Sequence, residues 1–163
     1  MSAEKVLTKE IVRHFEGDRY YPDEELCEFT EIDDAAAESL SKWQCVLALN
    51  GLTKLSDAAA ESLSKYEGEL TLNSLTELSE TAAESLSKHK GSSLRLEGLT
   101  ELSDAAAESL SKHQGETLAL FGLTELSDAA AENLSKYGGE VWYDTYQLSK
   151  SAAQILRDAG HGE

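Results

Sequence analysis

The side chains best suited to chemistry in this sequence are an acid, an amine and an imidazole that follow one another closely. Glu108, Lys112 and His113 lie in the stretch GLTELSDAAAESLSKHQG, residues 98–115. An acid near a base can serve general acid–base catalysis, and histidine is a common metal ligand. Either kind of site needs a distinctive arrangement of groups, so the surrounding sequence decides between chemistry and a structural role.

The acid–amine pair is repeated along the chain at i, i+4 spacing. The copies are Glu38/Lys42, Glu61/Lys65, Glu84/Lys88, Glu108/Lys112 and Glu132/Lys136. On a helix, residues at this spacing share a face, and each exposed pair stabilises the helix by about 0.2–0.5 kcal/mol. The repetition predicts a row of surface ion pairs and no catalytic pair.

His113 also belongs to a repeated position, which we call the aromatic column. Its members are Trp43, Tyr66, His89, His113 and Tyr137. Two histidines are too few for a tetrahedral structural zinc site. Replacement by Tyr and Trp indicates a packing or helix-end position, where a protonated histidine would favour the helix dipole. We therefore expect no metal site in this column.

Other chemical signatures are missing from the sequence. It contains no Gly-rich phosphate loop, nucleophile elbow or H-E-x-x-H pattern, so we predict neither an enzyme nor a cofactor. Cys27 and Cys45 occupy different repeat positions. In adjacent strands they would lie about five residues apart in register, or ~15 Å, which is beyond disulfide reach. Both are predicted to be free thiols.

The charge of the chain limits its partners. The 163 residues carry 31 acids and 14 Lys or Arg, a net charge of −17. Nucleic acid and anionic membranes both require clustered basic residues, so neither is expected as a partner. The negative charge therefore indicates either a basic partner or a surface that keeps the protein soluble. The start MSAEKVLTKE has no signal-peptide core, and no apolar run is long enough for a membrane span, which predicts a cytoplasmic protein.

Internal repeats organise the whole chain. Five blocks of 23–24 residues cover 29–51, 52–74, 75–98, 99–122 and 123–145. We predict one domain over 1–163, in which 1–28 and 146–163 are an N-terminal cap and a C-terminal cap helix. Atypical ends of this kind are expected of repeat arrays.

Each block reads as one helix and one strand. In the second block, Ser56 occupies an N-cap position and begins a helix of about ten residues, and Gly68 is the expected stop signal. Leu70 and Leu72 then alternate with polar residues, the period of a half-buried strand. Such a short helix is unstable alone, so the blocks must stack to fold.

Comparison of the blocks identifies the side chains that face inward. The helix contributes two invariant alanines and a leucine, as in Ala59, Ala60 and Leu63, whereas the alanine before them is replaced by Thr81 in one block. The predicted core ladders are Leu47/Leu70/Leu94/Leu118/Val141, Leu49/Leu72/Leu96/Leu120/Tyr143, Phe29/Leu52/Leu75/Leu99/Leu123 and Ile32/Leu55/Leu78/Leu102/Leu126. These patterns predict an α/β fold, a right-handed solenoid with one parallel sheet on one face and helices on the other.

The shared pattern L-T-x-L-S-D-A-A-A-E-S-L-S-K-(aromatic or His)-x-G resembles leucine-rich repeats, and more closely short bacterial arrays of G-L-T-x-L-S-D-x-A-A-E-x-L-x-K-H-x-G. The resemblance covers about 29–144 and implies a protein-binding scaffold that uses its exposed sheet face. The segment LTLNSL, residues 70–75, is two residues shorter than the usual pattern. Its asparagine column reads Cys27, Asn50, Asn73, Glu97, Phe121 and Asp144, so we expect no asparagine ladder along the solenoid.

Function is therefore expected where the blocks differ on the outward sheet face. Arg95, Phe121 and Trp142 stand out there, because Arg and aromatic residues are common interface anchors. We expect this face to bind an unknown protein or peptide. The alternatives are that Trp142 only shields the last repeat, and that the chain is a self-associating structural module, a weak homo-oligomer and not a monomer.

Overall fold

The computed structural model describes residues 5–15, 23–44 and 46–162. The strands are β1 Val6–Leu7, β2 Glu31–Ile32, β3 Leu47–Ala48, β4 Leu70–Thr71, β5 Ser93–Arg95, β6 Thr117–Ala119 and β7 Glu140–Trp142. The helices are α1 Lys9–Phe15, α2 Asp23–Leu26, α3 Asp34–Leu40, α4 Asp57–Leu63, α5 Glu80–Leu86, α6 Asp104–Leu110, α7 Asp128–Leu134 and α8 Lys150–Asp158. The chain is thus an α/β stack of repeated strand–helix units.

The main sheet is parallel and follows the order of the repeats, β3-β4-β5-β6-β7. Leu70 pairs with Leu47 and Leu94, and Leu118 pairs with Leu94 and Val141, so the first predicted ladder is confirmed residue by residue. Every member of that ladder has 0% exposure. One repeat therefore adds one strand to the sheet and one layer to the core.

The repeat helices begin where the sequence predicts. Ser56 caps α4 by accepting a hydrogen bond from the Ala59 backbone N–H at 3.0 Å. Serine caps α5, α6 and α7 in the same way, and Asp33 caps α3. These bonds satisfy donors that the first helical turn would otherwise leave free.

The predicted end of the helix was wrong. The helix α4 has seven residues and ends at Leu63, with Ser64 as its C-cap, so Gly68 does not terminate it. The glycines of this position serve the close approach of neighbouring repeats instead. A Cβ on Gly91 would collide with the carbonyl oxygen of Gly68 in the preceding repeat.

The inward helix face is confirmed. Both invariant alanines of every repeat are buried, as Ala59 and Ala60 show at 0% exposure, while Ala58 and Thr81 are exposed. Each helix from α3 to α7 packs against the next. Small side chains on this face allow the helices to lie close to the leucine ladders.

The expectation of a single sheet was wrong. Strands β1 and β2 form a second parallel sheet, in which Leu7 pairs with Ile32. Glu101 and Glu125 make an isolated parallel bridge at the equivalent position of two later repeats. The segment just before each repeat helix lies beside the equivalent segment of the neighbouring repeat. Backbone pairing is therefore possible between these segments.

The C-terminal end is covered by one aromatic residue. Tyr143 is buried, and its hydroxyl lies 3.3 Å from each of the carbonyl oxygens of Ala153 and His161, either of which can accept its proton. Trp142 is 38% exposed and Tyr146 is 97% exposed. Trp142 extends from the outward side of β7 because residues alternate between the two faces of a strand.

Cys27 is a half-buried free thiol, whereas Cys45 lies outside the described residues. Across the described ranges, no helix has the length and apolar character that a membrane crossing needs.

Candidate binding surface on the exposed sheet face

The side chains that point outward from the main sheet form three rows across the strands. We call this whole surface the sheet face. Its members are Val46, Ala48, Asn50, Glu69, Thr71, Asn73, Ser93, Arg95, Glu97, Thr117, Ala119, Phe121, Glu140, Trp142 and Asp144. Strand register places Arg95 beside Ala119, and Ala119 beside Trp142. Arg95 and Trp142 therefore lie in one row, whereas Phe121 lies in the next.

Phe121 and Trp142 come together on this face, and we call them the aromatic pair. Their ring centroids are 6.2 Å apart and their planes are tilted by 44°. Phe121 is 41% exposed and Trp142 38%. The Trp142 indole Nε1–H donates to Glu140 Oε2 at 3.1 Å, which orients the ring. Tilted rings at this separation attract each other, so the pair is a defined feature of the surface.

The alanine between these side chains is completely covered. Ala119 points outward by register, yet it has 0% exposure. Its lateral neighbours are Arg95 and Trp142, the longest side chains of their row. The Ala119 side chain is therefore enclosed although it lies on the outward face.

Arg95 differs from the aromatic pair because its charge is already matched. Its Nε donates to Glu97 Oε1 at 3.0 Å, and its Nη1 lies 3.5 Å from Glu69 Oε1. The side chain is 35% exposed. A partner carboxylate would have to displace these two intramolecular carboxylates to reach the guanidinium.

The asparagine column forms a short hydrogen-bonded ladder. Asn50 Oδ1 accepts from the Asn73 backbone N–H at 3.3 Å, and Asn73 Oδ1 accepts from the Glu97 backbone N–H at 3.4 Å. The next residues in the column are Phe121 and Asp144, which carry no amide. The ladder spans three repeats and stops where the aromatic pair begins, a detail that the sequence analysis missed.

The charge of the sheet face is predominantly negative. The sheet face carries four carboxylates, those of Glu69, Glu97, Glu140 and Asp144, and one guanidinium, that of Arg95. Hydrogen bonds from the Gln147 side chain and then the Tyr146 backbone N–H lower the pKa of Asp144. Asp144 is therefore ionised at neutral pH.

Four members of the aromatic column, from Tyr66 to Tyr137, form a buried stack. Centroid distances are 6.1 Å for Tyr66–His89, 5.6 Å for His89–His113 and 6.1 Å for His113–Tyr137. His161 extends the stack at 6.5 Å from Tyr137. The position is thus a packing column, as the substitution by Tyr indicated.

The expectation of a protonated histidine in this column was wrong. His89 and His113 are 1% and 3% exposed, so both rings are buried. Burial, with the neighbouring His113 as the second cause, lowers the pKa of His89 to about 4. Burial also lowers the pKa of His113. Both rings are neutral at pH 7.

The stacked histidines do not form part of a larger ligand set. Within residues 5–15, 23–44 and 46–162, no group of three or more His, Cys, Asp or Glu side chains is placed to hold a metal ion. The rings of His89 and His113 face each other at an interplanar angle of 18°. Their nitrogen lone pairs lie in the ring planes, so they do not converge on one point.

The repeated acid–amine pairs are surface ion pairs, as predicted, in four of five helices. The N···O distances run from 3.1 Å for Lys112–Glu108 to 3.7 Å for Lys65–Glu61, and all these side chains are more than half exposed. In α7, Lys136 bonds to Asn133 Oδ1 at 3.2 Å instead. Exposed pairs of this kind contribute little free energy and form no enclosed site.

Comparison with known proteins adds no relative. A scan against protein-family models finds no matching family, and searches of curated proteins and of solved structures find no match. The likeness to a repeat solenoid therefore rests on the stacked strand–helix units and their parallel sheet.

Proposed function

We propose that this chain is a right-handed, leucine-rich-repeat-like solenoid that binds a protein or peptide on its sheet face. The observation that carries the proposal is the exposed aromatic pair of Phe121 and Trp142. Large exposed aromatic side chains are enriched among the residues that dominate binding energy at interfaces. Here they lie on a rigid sheet, so little conformational entropy is lost on binding.

The other candidate surfaces support this choice by contrast. The outer helix face carries ion pairs that recur from repeat to repeat, such as Glu84/Lys88 and Glu108/Lys112. The sheet face instead differs at almost every repeat. A surface that distinguishes its partner needs such differences, whereas a regular row of exposed ion pairs serves helix stability and solubility.

Affinity capture followed by mass spectrometry tests the proposal. The parent protein is compared with an Arg95→Ala/Phe121→Ala/Trp142→Ala variant and with a matched helix-face variant, Glu61→Ala/Glu108→Ala. Circular dichroism establishes that all three are folded. We expect partners captured by the parent and the helix-face variant to be lost from the sheet-face variant. Equal capture by all three would place binding elsewhere.

Self-association is the second candidate function, and the C-terminal end favours it. Tyr146, just after the last strand of the main sheet, is 97% exposed. A large exposed aromatic side chain can be covered by a second copy. Light scattering across the micromolar range separates the two candidates, since a mass that stays at the monomer value speaks against self-association.

A further inference from the structure

We propose that the aromatic pair receives a Lys or Arg side chain, so that the segment bound by the sheet face is basic. The inference rests on the proposed function and adds the chemistry of the partner. It follows from three features of the surface: the ring faces, the carboxylates of the sheet face, and the internal pairing of Arg95.

The aromatic pair offers the geometry that a cation uses. A cation is attracted to the face of an aromatic ring when it lies within about 6 Å of the centroid, and tryptophan is the strongest such ring. With centroids 6.2 Å apart and planes tilted by 44°, the two rings together form one exposed aromatic surface. Both rings are more than a third exposed, so an incoming side chain has access.

A carboxylate lies beside the Trp142 ring. Glu140 accepts the indole N–H of Trp142 at 3.1 Å, which places its charge at the ring edge. Asp144 follows β7, and its carboxylate accepts from the Tyr146 backbone N–H and the Gln147 side chain, each at 2.9 Å. In the described part of the chain, neither Glu140 nor Asp144 forms an ion pair. An incoming cation would gain both the ring faces and these unmatched charges.

The remaining charges of the sheet face disfavour an anionic segment. Arg95, the single basic residue of this face, already contacts Glu97 and Glu69. An anion would therefore meet predominantly negative charge on a protein whose net charge is −17, and the other basic side chain described near Trp142 is Arg157, which lines a hollow beside Glu140 and donates to the Ala153 carbonyl oxygen. A neutral apolar side chain would use the rings but would gain nothing from the carboxylates, and this difference makes the inference testable.

The test uses a defined peptide as the probe. An acetylated and amidated glycine peptide with two arginines is titrated into ¹⁵N-labelled protein while the two indole N–H signals are followed by NMR. The control peptides carry citrulline, which keeps the shape without the charge, or glutamate. We expect saturable shifts of the Trp142 signal with the arginine peptide and an unmoved Trp43 signal. We expect about tenfold weaker binding of the citrulline peptide and no binding of the glutamate peptide.

Variants locate the binding. Trp142→Leu, followed through the backbone amide signals of β6 and β7 because its indole is removed, and, separately, Phe121→Leu should each weaken the arginine peptide by about three- to thirtyfold, the range of a cation–aromatic contact. Glu140→Gln keeps an acceptor for the indole and should weaken binding a few-fold. The matched control Glu125→Gln removes an exposed acid outside the sheet face and should change nothing. Folding of each variant is checked from its amide spectrum.

The outcomes distinguish this inference from the proposed function. Equal affinity for the arginine and citrulline peptides, or no saturable Trp142 shift up to millimolar arginine peptide, overturns the cation assignment. If captured partners still depend on Phe121 and Trp142, the proposed function survives that failure. If the capture of partners is also unchanged by substitution of these residues, both the cation assignment and the proposed function are refuted.

Discussion

Acidification should destabilise the fold through the buried histidine stack, and the effect can be calculated for His89. Its pKa is about 4 in the folded protein, against an ordinary value of 6.5, because the ring is buried beside His113. The folded state therefore binds fewer protons than the unfolded state between these values. The stability contributed by the neutral ring is complete above pH 6.5 and decreases as the pH falls towards 4.

The size of the effect follows from the two pKa values. At pH 5 the unfolded state has taken up a proton that the folded state largely lacks, which costs about 2 kcal/mol for His89 alone. The pKa of His113 is also lowered by burial, so its contribution has the same sign. A domain with a typical stability of about 5–15 kcal/mol would lose a measurable part of it.

The assay is urea unfolding followed by circular dichroism at pH 7.5 and pH 5. The parent is compared with His89→Tyr, since tyrosine already occupies this column at Tyr66 and Tyr137. Tyr137 donates its hydroxyl to the Gly115 carbonyl oxygen at 2.9 Å, so tyrosine fits the column with its polar group satisfied. We expect the loss of unfolding free energy between the two pH values to be about 2 kcal/mol smaller in the variant.

His14→Gln is the matched control, because His14 is exposed on α1 and lies outside the stack. It removes one histidine and should retain the pH dependence of the parent. The many carboxylates titrate alike in all three proteins and cancel in the comparison. Equal losses in the parent and in His89→Tyr would refute the assignment of a buried neutral ring.

Two further stability predictions follow from backbone geometry and are checked by the same unfolding assay at pH 7.5. Gly91→Ala should destabilise the protein by about 1–3 kcal/mol, because the new Cβ collides with the Gly68 carbonyl oxygen. Its control Gly138→Ala, with no atom within 4 Å of the new Cβ, should be neutral or stabilising by about 0.5 kcal/mol, and equal effects would contradict the close-approach argument. Ser103→Ala should cost about 1 kcal/mol, because the Ala106 backbone N–H at 3.1 Å loses its acceptor. An unchanged midpoint for this variant would show that the cap contributes nothing.

The repeat interior could be predicted because each repeat supplies an independent copy of the same physical constraint. Residues that must be apolar or small recur, as Leu70 and Leu94 do, and those free to vary differ, as Ala58 and Thr81 do. The register of the main sheet followed directly. The same logic identified the serine N-caps and the exposed ion pairs.

The N-terminal unit escaped recognition because its residues depart from the repeat pattern. The stretch around Ile11, Val12 and Phe15 forms α1, which packs on α3. Its pairing with the first repeat depends on Leu7, which lies beside Ile32. Nothing in the local sequence marks Leu7 as a member of a ladder, since the alanine pair that identifies the other repeats is missing.

The candidate site was predictable in its position but only partly in its interactions. Alternation along the strands placed Arg95, Phe121 and Trp142 on the outward face. The contact of Phe121 with Trp142 across adjacent rows, and the engagement of Arg95 by two carboxylates, depend on side-chain conformations that spacing does not specify. The replacement of these histidines by tyrosine in other repeats indicated that the position is buried. A protonated histidine at a helix end would instead need an exposed position.

The most direct test of the account is the dissociation constant of peptides selected from a random library against the parent protein. Each selected peptide is measured against the parent, the sheet-face triple variant of Arg95, Phe121 and Trp142, and the helix-face variant Glu61→Ala/Glu108→Ala. We predict at least about tenfold weaker binding to the sheet-face variant, because it lacks the interface anchors, and unchanged binding to the helix-face variant. Selected peptides that bind all three proteins equally would contradict the claim that the sheet face is the recognition surface.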